Sequence, residues 1–226
     1  MRLVNPDSLA ETLDAINDAY FHRRSLLNRQ RLEAAAWIAA RQDGPGAYAH
    51  MFAPTPQDMK TGIRVYTGEA VESGAATAHI LGEEACRALI LLNAPNSGVK
   101  EALARARAGM LARLVDAEAR GTRGMYCCGK CSVALWRHLV VGGLADGERR
   151  LVAGLRALKS HRTGDGKWRV FPFFYTLLPL LEIESPLARA ELQYAAPVAA
   201  RYLQRAPTTP IEERRHEVVK RALTRC

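Results

Sequence analysis

LKSHRTGDGKWRVFPFF, residues 158–174, joins a run with helical spacing to an apolar run through a polar turn holding two glycines and a tryptophan. Two other stretches follow the same grammar, WIAARQDGPGAYAHMF at 37–52 and LVDAEARGTRGMYCCGKC at 114–131. Each ends a helical pattern, turns through glycine, and then places Gly-x-aromatic: Gly46-Ala47-Tyr48, Gly124-Met125-Tyr126 and Gly166-Lys167-Trp168. A glycine past a helix end accepts the left-handed conformation that closes the last turn. A following aromatic buries a large area at a junction between elements. Tyr126 and Trp168 lie 42 residues apart, and Tyr48 precedes Tyr126 by nearly twice that step. Self-similarity at about 40 residues is the mark of stacked helical hairpins.

The rest of the chain agrees. Apolar residues recur at helical spacing almost throughout, and alternating β-branched runs are nearly absent. The pattern predicts helices over 6–27, 29–42, 76–93, 98–119, 131–142, 147–161, 171–183, 186–205 and 210–225. Ser8 with Glu11 reads as a capping box, and Pro186 and Pro210 stand where a missing N–H is tolerated. The expectation is an all-α array of antiparallel helical hairpins, about four repeats. Residues 1–26 form an N-terminal helix and 27–226 the repeat domain, with a long loop at 53–75. Loops of that length in compact domains serve as lids or binding loops or lack fixed structure, and Arg64, Tyr66 and Glu69 are its candidate contacts.

At 226 residues, 48% hydrophobic and 24% charged, the chain has the composition of a soluble globular protein. Its apolar runs fall short of the roughly 20 residues a membrane span needs. The polar N-terminus and an odd number of cysteines predict a cytoplasmic protein without a disulfide framework. The net charge of +9 favours an anionic partner. Arg214, Arg215 and Lys220 in the basic tail are the candidate phosphate contacts, set against their reading as a solvated helix face.

GDGKWRVFPFFYTLLPLLE (164–182), with Gln42 of ARQDGPGAY placed like the glutamine of the QW pattern, resembles the repeats of α/α-toroid proteins. That group holds terpenoid cyclases, protein prenyltransferase β subunits and lanthionine synthetase-like cyclases. The resemblance runs from Leu27 to Leu203. It implies a partial toroid, either an open arc or a barrel completed by a homo-oligomer, with inner helices starting at Ala76, Cys131 and Phe171. It further implies a small-molecule ligand, apolar or peptide-like, held in the concave face by His79, Glu83, Phe173, Phe174 and Tyr175, with Arg64 and Tyr66 reaching in from a flap. An enzyme of this kind would be a prenyltransferase-like or cyclase-like transferase or lyase. The acidic motifs DxDD and DDxxD are missing from the sequence, and the pairs Glu83-Glu84 and Glu212-Glu213 point to different helix faces. A noncatalytic scaffold for a protein or nucleic acid is therefore the rival reading.

GMYCCGKCSVALWRH (124–138) carries its own chemistry. Cys128 and Cys131 have C-x2-C spacing at a predicted helix start, with His138 two turns beyond Cys131. These three are the candidate metal ligands, with zinc the metal, and His79, His50 or His161 could complete the set from neighbouring hairpins. The same pair reads as a redox dithiol, because a helix N-terminus and Lys130 both favour thiolate. Packing of small buried thiols is the structural alternative. On the next helix back, His79, Glu83 and Cys86 share a face, with Arg87 spaced to pair with Glu83.

Overall fold

The computed structural model describes residues 2–122 and 124–226. The chain forms α1 (Leu9–Phe21), α2 (Asn28–Ala39), α3 (Pro56–Thr61), β1 (Ile63–Arg64), β2 (Ala70–Val71), α4 (Gly74–Leu92), α5 (Ser97–Ala119), α6 (Gly129–Val140), α7 (Gly147–Ser160), α8 (Phe173–Glu182), α9 (Pro186–Tyr202) and α10 (Pro210–Thr224). The all-α expectation holds. The strands are a two-residue antiparallel ribbon pairing Ile63 with Val71 and Arg64 with Ala70.

Helix α4 is the axis of the molecule. Its residues from Thr77 to Leu89 are all buried, so it is covered on every side rather than along one stripe. It packs most extensively against α6, and also against α1, α2 and α5; α6 in turn touches α7 and α8, and α8, α9 and α10 pack on one another. One continuous core runs from Leu3 through Ala222, so α1 shares its interior with the rest of the chain. Side-chain oxygens cap most helix starts: Ser8, Thr55, Ser73, Asn96, Ser185 and Thr209 each accept a backbone N–H.

The Gly-aromatic corners have separate fates. Those at Tyr48 and Tyr126 meet through a hydrogen bond between their hydroxyls. Trp168 stands apart, stacked on Phe173 and donating its indole N–H to Glu191 at 2.8 Å.

The segment 53–75 is folded and pinned rather than hanging as a flap. Asp58, in α3, is buried and accepts hydrogen bonds from Ser8 Oγ at 2.6 Å, Leu9 N–H at 2.9 Å and Thr55 N–H at 2.9 Å, thereby capping α1 from a distant part of the chain. Glu69 accepts the Tyr175 N–H at the start of α8. Arg64 closes the ribbon's own turn on the Gly68 carbonyl at 2.8 Å.

The basic tail is likewise tied down. Arg214 pairs with Asp14 at 2.9 Å, donates to the Tyr66 carbonyl at 2.6 Å and lies over the Tyr66 ring. Arg215 donates to the Thr67 carbonyl at 2.7 Å and covers Phe174. Two of the three cations expected to face phosphates thus clamp α10 onto α1 and the ribbon, while Lys220 stays exposed.

Replacing Asp58 by Ala strands several buried donors at once. A loss of at least ~2 kcal/mol in urea unfolding is expected, with new protease cleavage inside 55–72.

Candidate functional site

The contact between α4 and α6 is built around a buried carboxylate. Glu83 is fully enclosed, with Oε2 2.6 Å from His138 Nδ1 and Oε1 3.3 Å from His79 Nε2. A carboxylate only accepts, so these contacts assign the proton to Nδ1 of His138 and to Nε2 of His79. Burial alone would push the Glu83 pKa up. Hydrogen bonds from His138 and His79 outweigh it and hold the carboxyl at about 2. His79 and Glu83 are one helical turn apart on α4, as their spacing predicts. The expected Glu83–Arg87 pair does not form: Glu83 is taken up by the two histidines, and Arg87 pairs with Glu182 at 2.8 Å.

Two rings fix His79. Tyr48 stacks on it at 4.5 Å between centroids and Tyr126 meets it edge-on at 5.0 Å. The bonded hydroxyls of the two tyrosines close this cage. His79 Nδ1 is buried without a hydrogen-bond partner, as is His138 Nε2. Over His138 the chain passes at Gly143, where a methyl group would fall 2.2 Å from Nε2, so only glycine fits.

The cysteines crown the same helix pair. Cys128 is the N-cap of α6, and its sulfur accepts the Cys131 N–H at 3.4 Å. The two sulfurs share a hydrogen bond at 3.1 Å. Cys131 is buried, Cys128 half-buried and Cys127 exposed. A hydrogen bond from the Cys131 thiol, together with backbone N–H groups of Cys131 and Lys130, brings the Cys128 pKa down to about 5 against the cost of burial. The same hydrogen bond and burial push Cys131 up. The pair is therefore one thiolate and one thiol. The first turn of α6 lies so close to the next loop that a methyl on Gly129 would sit 2.0 Å from the Val170 carbonyl oxygen. Ser132 Oγ accepts the Tyr126 N–H at 2.9 Å, locking the loop over the helix start.

A ring nitrogen of His79 and the sulfurs of Cys127 and Cys131 lie within 4.8 Å of one another. His79, not His138, therefore joins the thiols; two turns of α6 carry His138 away from them and onto Glu83. His50 bonds Asp43 near the surface, and His161 bonds the Ala157 carbonyl, so neither reaches the cluster. Lys130 pairs loosely with Glu72 at 3.8 Å and acts on the thiolate through its backbone N–H.

The residues assigned to one concave face divide among several places. His79 and Glu83 belong to the thiol site. Tyr175 is fully buried and donates its hydroxyl to Glu84 at 2.6 Å. Arg64, Tyr66 and Tyr175 border a small recess beside α1. Phe173 lies against Trp168 and Phe174 against Tyr202. Tyr48 and Tyr126 read as purely structural in the sequence, although their place at successive corners was the signal that they could face one another.

No protein-family model, curated protein or solved structure matches the chain, and the geometry alone carries the functional reading.

Glu83→Gln is expected to cost roughly 2 kcal/mol at pH 7, because the amide cannot accept from both imidazoles and leaves a buried donor unmet. A folded-state pKa of about 2 lies below the ordinary 4.5, so the carboxylate stabilises the fold above pH 4.5 and loses that contribution as pH falls toward 2. Urea unfolding at pH 7 and pH 3 should show the gap between wild type and variant narrowing in acid.

Proposed function

We propose that this protein is a dithiol–disulfide oxidoreductase that cycles Cys128 and Cys131. The observation that carries the reading is the hydrogen-bonded sulfur pair at 3.1 Å, half-buried thiolate outside and buried thiol inside, at the start of α6. Cys128 attacks one sulfur of a substrate disulfide, the substrate S–S bond breaks, and the departing thiolate takes a proton from solvent. Cys131 then gives its proton to the free Nδ1 of His79. Its thiolate attacks Cys128 Sγ, and the second substrate sulfur leaves as a thiolate that takes up the proton released by His79. The substrate has gained two electrons and two protons, and the protein holds a disulfide that an external dithiol returns to its starting state.

Glu83 and His138 stand behind His79. The carboxylate holds the His79 tautomer with Nδ1 open to the thiols and stabilises the imidazolium that forms, the role of a base-orienting acid. Tyr48 and Tyr126 keep the ring in place. These residues position His79 and touch no substrate.

A second reading rests on the 4.8 Å grouping of His79, Cys127 and Cys131 as zinc ligands. The dithiol is favoured because the Cys131 sulfur this group would need is already engaged with Cys128 at 3.1 Å.

Alkylation of Cys128 by iodoacetamide should follow a midpoint near pH 5, rising toward about 8.5 in Cys131→Ala. In glutathione buffers the pair should oxidise as one two-electron couple, and Cys128→Ser should remove it. A wild-type midpoint at the free-thiol value, or a stoichiometric zinc that resists chelation, would overturn the dithiol reading.

A further inference from the structure

Where α4 and α6 end, at Leu91, Val140 and Val141, lies a cavity of about 840 Å³. That volume falls in the range of small-molecule sites. Its body is apolar, with Phe21, Leu91, Val140, Val141, Leu178 and Leu181 on the walls, and cationic side chains outnumber carboxylates around them.

Two of its lining residues are arginines that proteins rarely bury. Arg137 is 2% exposed and Arg87 7%. Their known partners use only part of each guanidinium. Arg137 Nη2 donates to Asn17 at 2.9 Å and Arg87 Nη2 to Glu182 at 2.8 Å, while Glu84 stands 3.4 Å from Arg137 Nε without forming a hydrogen bond. Nε and Nη1 of both arginines remain buried and unpartnered, against one unpartnered acceptor, Glu182 Oε2. Buried donors of charged groups left unmet are costly. Arg137 Nε has Glu84 as an ionic neighbour and Arg137 Nη2 has Glu182 at 3.9 Å, but both arginines still border this one cavity with donors to spare. The surplus calls for acceptor oxygens, and the planar guanidinium fork suits a carboxylate.

We infer that this cavity is a binding site for an organic acid with an apolar body, its carboxylate held by Arg87 and Arg137 and its tail along α8. Glu182, the last residue of α8 and partly exposed, is the counter-ion that the ligand's head displaces from Arg87. Lys220 and Arg221 at the rim draw the anion in.

The test is titration of the full chain with monomeric dodecanoate, followed by calorimetry and thermal melting, with dodecylamine as the control of opposite charge. Dodecanoate should bind saturably, one per chain, and raise the melting temperature; dodecylamine should not. Arg87→Met should weaken binding roughly ten- to hundredfold. Leu181→Trp serves beside it, filling the cavity while leaving both buried arginines and their partners in place, and should abolish binding in a protein that melts normally. No saturable binding to the wild type, equal affinity for the amine, or undiminished binding in Leu181→Trp would each overturn the site. None of these outcomes depends on the thiol pair.

Discussion

A carboxylate in the middle of a buried helix dictates much of what surrounds it. Glu83 has no access to water, and an isolated ion there would be prohibitive. It must therefore be met from both sides, by His79 one turn earlier on its own helix and by His138 on α6. Meeting the second condition sets how far α6 slides along α4. Once His138 Nδ1 is 2.6 Å from Glu83, the start of α6 is placed over His79, and Cys128 and Cys131 are placed with it. The thiol pair is thus positioned by an acid–base contact two turns away.

The helical content was plain in the sequence because apolar spacing and caps agree along nearly the whole chain. Ser8 caps α1 as its position suggests, although the Glu11 carboxylate turns to Asn5 instead of closing a capping box. Pro186 and Pro210 open their helices, and His79 and Glu83 share a face. What the sequence could not show is which partner each polar residue finds across the chain. Glu83 and Arg87 have ideal spacing for a pair, yet α4 is covered on all sides, and each turns to a different neighbouring helix. His138 looks like a ligand continuing from Cys131, but seven residues of helix is about 10 Å of rise, too far to share an atom with the sulfurs. The loop 53–75 reads as free because its anchor, Asp58, bonds to residues some fifty positions earlier. The toroid-like corners are legible as corners; that two of them cage a histidine while Trp168 bonds Glu191 depends on how the helices stack.

The positive charge has a related explanation. Arg31, Arg41, Arg214, Arg215 and Arg221 all donate to backbone carbonyls at helix ends or loops. Arginine suits this use because its donors are several, rigidly spaced and always charged. These five of the 32 basic residues therefore have a tertiary function. This separates overall charge, which governs solubility and encounter, from a binding surface, which needs unengaged cations in one place.

Polar groups at the α4–α6 contact also bear on why the fold keeps them. Adjacent residues on a helix point about 100° apart, so Glu83 and Glu84, and Arg137 with His138, serve different sides of the same two helices. Glu83 and His138 bond each other beside His79, while Glu84 bonds Tyr175 and stands by Arg137, which borders the cavity. An apolar seam of equal volume would often be as stable or more so, but it would tolerate sliding. Here a slip of one turn, about 5.4 Å, would break the Glu83–His138 bond and the Glu84–Arg137 pair together and leave charges of both signs buried alone. The two sets of contacts hold one register from opposite sides, and that register is what keeps a buried thiol within reach of a histidine base.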